Sequence, residues 1–123
     1  MEYHDAVVSS SCNRVPTLDC HLENVFVETR DDPEPEDVAA ALEDAPTLDL
    51  PSAPDPLIEV FEEPERPQPR LDRSLGNGMT VSAGGFRETD DGVQFNCLSH
   101  NTMRGAAGAS VLNGELLAEH GYI

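Results

Sequence analysis

Met79-Thr-Val-Ser-Ala-Gly-Gly-Phe-Arg-Glu-Thr-Asp-Asp-Gly-Val-Gln-Phe-Asn-Cys-Leu98 is the stretch on which the fold turns. Two strand-forming runs, Met79–Glu88 and Val93–Leu98, flank Asp90-Asp91-Gly92, residues suited to a tight turn. The pattern predicts an antiparallel hairpin. Gly76-Asn77-Gly78 just before it reads as the turn that feeds the first strand.

Working outward, Leu57–Phe61 reads as a short strand, and Asn24–Glu28 as another. Val25-Phe26-Val27 is apolar on both faces, as in an interior strand. Residues 6–11, Ala-Val-Val-Ser-Ser-Ser, read as a strand that starts almost at the first residue, which suggests truncation. Asp31–Glu36, with Pro33 and Pro35, is a turn leading into a helix over about 35–44. Acids in its first turn suit the helix dipole, and Val38, Ala41 and Leu42 form its apolar stripe. Four prolines (46, 51, 54 and 56) exclude a helix or central strand over 46–56. Pro64–Arg73 reads as extended, and its three arginines (66, 70, 73) mark it as a contact segment. A last helix runs over Met103–Glu119, capped by Asn101 or Thr102 and ended by Gly121. The sum is about five strands and two helices. That is an α+β fold with a mixed, largely antiparallel sheet and helices packed on one face.

The charge is strongly one-sided: 24 Asp and Glu against 7 basic residues, a net charge of −17, with every basic residue an Arg. Such a chain repels itself at low salt and is relieved by screening. The acids are dispersed among apolar runs, which favours a folded chain in a salt-rich cytoplasm over a disordered one. The same charge argues against nucleic acid or an anionic membrane as partner. Aromatic residues are only 5% and Trp is absent, so aliphatic packing carries the burial and some apolar surface expects a partner. Three cysteines (12, 20, 97) make no disulfide framework. No apolar run approaches the roughly 18 residues of a membrane span, and Met-Glu-Tyr-His-Asp does not open a signal peptide. A cytoplasmic, reduced protein is expected.

Two clusters can carry chemistry. In Cys12-Asn13-Arg14-Val-Pro-Thr-Leu-Asp19-Cys20-His21, Arg14 offers a fork for a carboxylate or phosphate. His21 can act as acid or base, and Cys12 can serve as a nucleophile or a small buried residue. Cys12, Cys20 and His21 match no zinc spacing, so no metal is expected. In Ser99-His100-Asn101-Thr102-Met-Arg104-Gly105-Ala106-Ala107-Gly108, small residues opening a helix allow close approach by a ligand or another backbone. A glycine-rich nucleotide loop, G-x-G-x-x-G, does not occur in the chain.

Taken in order, these stretches resemble the aspartate-semialdehyde dehydrogenases. Arg14-Val15-Pro16 with Asp19-Cys20-His21 resembles the family's Arg/His signature. Leu50-Pro-Ser-Ala-Pro54, Arg66-Pro-Gln-Pro-Arg-Leu-Asp-Arg73 and Gly76-Asn-Gly-Met79 resemble its archaeal and fungal branch. Asn101-Thr-Met-Arg-Gly-Ala-Ala-Gly-Ala-Ser-Val-Leu-Asn113 resembles its closing helix, here 102–120.

The resemblance implies that residues 1–123 are the C-terminal catalytic and dimerisation part of a two-domain dehydrogenase, without the N-terminal dinucleotide-binding domain. It implies NADP-dependent reductive dephosphorylation of aspartyl phosphate to the semialdehyde, in lysine, threonine and methionine biosynthesis. Arg14 then binds the substrate carboxylate, His21 is the catalytic proton shuttle, and Asn101 approaches the nicotinamide. A dimer or tetramer through the sheet and the N-terminal half of the enzyme are the implied partners. The family's nucleophile precedes the Arg/His segment, so Cys12 is read as structural and the chain alone as inactive. Gly84-Gly85 stands where the branch has Gly-Arg, and Cys20 where archaeal members have Gly. The alternatives are a related malonyl-CoA reductase fragment and a non-catalytic dimerisation or regulatory module.

Overall fold

The structure, a computed structural model, describes residues 7–123. Its elements in chain order are β1 (His21–Val27), α1 (Pro35–Glu43), β2 (Ile58–Phe61), α2 (Pro69–Asp72), β3 (Val81–Thr89), β4 (Gly92–Ser99) and α3 (Gly108–Glu119). The strands form one sheet in the order β1-β4-β3-β2. β3 and β4 are the expected hairpin, joined by Asp90-Asp91. β1 pairs antiparallel with β4, and β2 pairs parallel with β3, so the sheet is mixed and largely antiparallel as expected. α1 lies across β2, β3 and β4, facing Val60 and Phe86 through Ala39 and Ala40.

The hairpin is kinked by a bulge. Gly84 pairs with Asn96 and Arg87 with Gln94, which leaves Gly85 and Phe86 opposite Phe95 alone. Gly85 takes φ +65°, the left-handed conformation that such a bulge asks of its first residue and that glycine adopts without a Cβ clash. Phe86 thereby stacks on Phe95 with ring centroids 5.2 Å apart. Gly84 serves a different need: a Cβ there would stand 2.6 Å from the Arg66 carbonyl, so only glycine lets the 64–73 segment cross so closely.

Several expectations are corrected. Ala6 lies outside the described residues, and residues 7–11 form no strand; Val7 and Val8 are exposed. An apolar run becomes a strand only where a neighbour completes its hydrogen-bond ladder, and β1 and β4 pair without it. β1 starts earlier than Asn24 and is an edge strand, not an interior one, among the described residues. The 64–73 segment is not extended throughout. The buried Asp72 carboxylate accepts Gln68 N at 2.6 Å and Arg66 Nε at 2.8 Å, and also Arg66 Nη2, folding Pro69–Asp72 into a helical turn. The Arg66 guanidinium caps this lock by lying 4.2 Å above the Phe61 ring.

The last helix opens as a π-helical turn over Met103–Ala107 and continues as α3. Neither Asn101 nor Thr102 caps it. The ring Nδ1 of His100 accepts the amides of Thr102 (3.3 Å) and Met103 (3.4 Å) instead. Gly121 ends it as expected: φ is +70°, Gly121 N donates to Ala118 O and Tyr122 N to Leu117 O. This pair of bonds is a Schellman closure.

Candidate functional site

The site is built where β1 begins and β4 ends. His21 opens β1 directly opposite Ser99, the last residue of β4, so the residues after Ser99 lie beside those before His21. The contact is explicit: Cys20 N donates to Asn101 Oδ1 at 2.8 Å. One hydrogen bond thus joins the two polar clusters, 81 residues apart in sequence. Cys20 itself is buried and holds φ +75°. That is the left-handed region, which a side chain rarely adopts.

Asp19 anchors the other side of the kink. Its Oδ2 accepts Arg73 Nη1 at 3.0 Å, and the Nε2 of His100 stands 3.8 Å from the same oxygen. Its Oδ1 accepts the Cys20 thiol at 3.7 Å. Because His100 Nδ1 accepts the helix amides, its ring proton is on Nε2 and faces Asp19. Burial, and then the Asp19 charge, push the Cys20 thiol up to about 11. Cys97 is raised as well, by burial and then by Glu23. Neither is a poised nucleophile, since the thiolate is the reactive form.

The sequence candidates are therefore distributed unevenly. Asn101 bonds the amide of Cys20, the residue before His21, and His21 itself is exposed. Arg14 stands exposed on the irregular segment before it, and among the described residues it makes no ion pair. Cys12 is exposed. Asp19 and His100 have no role in the sequence reading, and Arg73 only that of one arginine of a contact segment. The clue was the clustering of arginine within 66–73 of a chain so poor in cations. Among the described residues no group of His, Cys, Asp and Glu could hold a metal, and no helix is long and apolar enough to cross a membrane.

A second feature joins three other quoted stretches. A cleft of about 430 Å³ is lined by Pro51–Asp55, Gly76, Asn77, Met79, Met103, Gly108 and Val111. Ser52 ties its wall to α3, donating from its amide (2.9 Å) and hydroxyl (2.8 Å) to the Glu115 carboxylate.

The fold defines a class: an α+β sheet domain in which Asn101, just after β4, ties to Cys20, just before β1, with a long helix following. The description "Semialdehyde dehydrogenase, dimerisation domain" matches residues 1–104. The chain belongs to that family. It is 48% identical to the aspartate-semialdehyde dehydrogenase of Archaeoglobus fulgidus over a 124-residue alignment, covering all of this chain and 36% of the relative. It is 43% identical to that of Aspergillus fumigatus, covering 99% of this chain and 36% of the relative. The structure is similar to aspartate semialdehyde dehydrogenase from Candida albicans, solved with NADP, with TM-score 0.72 and 38% identity over 85% of this chain and 31% of that one. The chain thus spans about a third of the length of the relatives it matches.

Proposed function

We propose that this chain is the C-terminal catalytic and dimerisation part of an aspartate-semialdehyde dehydrogenase, and that His21 and Asn101 are its working residues. The observation behind the reading is the 2.8 Å bond from Cys20 N to Asn101 Oδ1, which ties Asn101 to the residue immediately before His21. His21 takes the proton from the hydroxyl of the cysteine–aldehyde adduct as the carbonyl re-forms, and returns it in the reductive direction. Arg14 binds the substrate α-carboxylate as a bidentate fork.

NADP supplies hydride transfer at its nicotinamide ring. The residues present fit that end of it: with Oδ1 committed to the backbone, Asn101 keeps its Nδ2 donor for a carboxamide oxygen. The adenosine end and the nucleophilic cysteine fall to the part of the enzyme that this chain does not span. The reading extends to lysine, threonine and methionine biosynthesis in a salt-rich cytoplasm, which the −17 charge supports.

The homo-oligomer forms through the sheet. Leu22, Asn24 and Phe26 alternate onto one face of β1, and Leu22 and Phe26 are each about half exposed there. The test is turnover: aspartate semialdehyde with phosphate and NADP, in high salt. The 123-residue chain alone is expected to be inactive. A chimera in which this chain replaces the matched third of the Archaeoglobus relative is expected to turn over. In that chimera Arg14→Ala should raise KM for the semialdehyde by about 10- to 100-fold, the cost of a lost charged hydrogen-bond pair. A chimera that folds, binds NADP and shows no turnover would contradict the proposal.

A further inference from the structure

Cys20 is held in a conformation it would not choose, immediately before the residue that does the chemistry. Its φ of +75° turns the chain into β1, and so fixes the direction in which His21 leaves the backbone. Strained residues of this kind persist only where the surroundings over-determine them. Here two clamps do so, one on each of two adjacent residues. Asn101 takes the Cys20 amide at 2.8 Å, and Arg73 takes the side chain of Asp19 at 3.0 Å. Arg73 is itself fixed at the end of the segment folded by the Arg66–Asp72 lock. His100 adds its Nε2, 3.8 Å from the same Asp19 oxygen. These residues converge on two consecutive positions, 19 and 20, from two separate stretches of chain, 66–73 and 100–101.

We infer that Asp19 and Arg73 are positioning residues for His21: their ion pair, with the Asn101 bond, holds the Asp19–Cys20 kink that aims the imidazole at the reacting hydroxyl. Neither group touches substrate in this account. Their contribution is the placement of His21, and a misplacement of about 1 Å can lower a rate by about 100-fold without weakening substrate binding. The inference rests on the reading of His21 as the proton shuttle.

The test uses the active chimera and the 123-residue chain together. In the chimera, Arg73→Gln should lower kcat by about 10-fold or more with KM within about twofold, and Arg73→Lys should recover most of the loss. In a His21→Ala background Arg73→Gln should cost nothing further, because no imidazole remains to be aimed. In the chain alone, backbone amide exchange should show the Cys20 amide protected, with protection falling about 10-fold or more in Arg73→Gln while α1 amides keep theirs.

An unchanged kcat, a loss confined to KM, or a full loss in the His21→Ala background would each overturn the inference. If the chimera shows no turnover at all, the functional reading fails on its own account. The Cys20 amide then decides the clamp: unchanged protection in Arg73→Gln overturns it, and selective loss sustains it.

Discussion

Cys20 illustrates how one backbone angle can govern the chemistry of a side chain and its neighbour. The kink buries the thiol against Asp19 and pushes it up to about 11. Unfolding releases it to its ordinary range near 9. The folded value is the raised one, so the folded state binds the proton more tightly. The associated stability is fully present below the unfolded value and is lost as pH rises toward about 11. Its size is on the order of 2 kcal/mol. Denaturation measured from pH 8 upward should show this alkaline loss, and Cys20→Gly, which suits a positive φ, should remove it. Alkylation offers a second check at neutral pH. Exposed Cys12 should react with iodoacetamide well before Cys20, and the reverse order would contradict the buried, protonated thiol.

At the scale of elements, the bulge in β3 and the open face of β1 make separate predictions. Gly85→Ala must place a side chain at φ +65° with its Cβ 3.0 Å from Asn96 Nδ2, and should cost about 1–2 kcal/mol in denaturant unfolding. Phe26→Glu puts a charge on the half-exposed sheet face and should shift the chain to monomer in light scattering, while the sheet's circular dichroism persists.

Elements specified by local chemistry were legible in the sequence: the Asp90-Asp91-Gly92 hairpin, α1 behind Pro35, and the Gly121 stop. Those that depend on a distant partner were not. Residues 7–11 have the composition of a strand but no ladder to join. Pro69–Asp72 looks extended until the Asp72 carboxylate gathers donors from Arg66 and Gln68. Asn101 has the chemistry of a helix cap, yet Cys20 N claims it and His100 caps in its place.

For the whole molecule, surface and charge point the same way. A compact monomer of 13.3 kDa exposes roughly 6,500 Å² by size scaling, whereas this chain exposes 9340 Å². Part of the excess comes from the exposed segment before β1, and part from apolar surface such as Val111 and Leu117 on α3. The fully buried aliphatic core is correspondingly small, centred on Val93, Leu98, Ala83 and Leu112. Each large member contributes about 1.5–3 kcal/mol, little to set against the self-repulsion of a −17 chain. Dialysis from above 1 M to about 0.1 M KCl lengthens the screening distance from about 3 to about 10 Å. Helicity and solubility should both fall over that range; constancy of both would remove the case for adaptation to salt.

The site shows the same division of legibility at this larger scale. His21 and Asn101 were identifiable as candidates from their motifs, but the tie of Asn101 to Cys20, next to His21, follows from the pairing of β1 with β4. The Asp19–Arg73 pair spans 54 residues and has no local signature.

The most direct test of the catalytic reading is the pH dependence of kcat for semialdehyde oxidation in the chimera, compared between His21 and His21→Ala. With His21 as the shuttle, the substitution should lower kcat by about 100-fold or more and change the shape of the pH profile, since the group that accepts the proton is gone. An unchanged rate and profile in His21→Ala would show that the proton moves through another group, and the account of this site would fail.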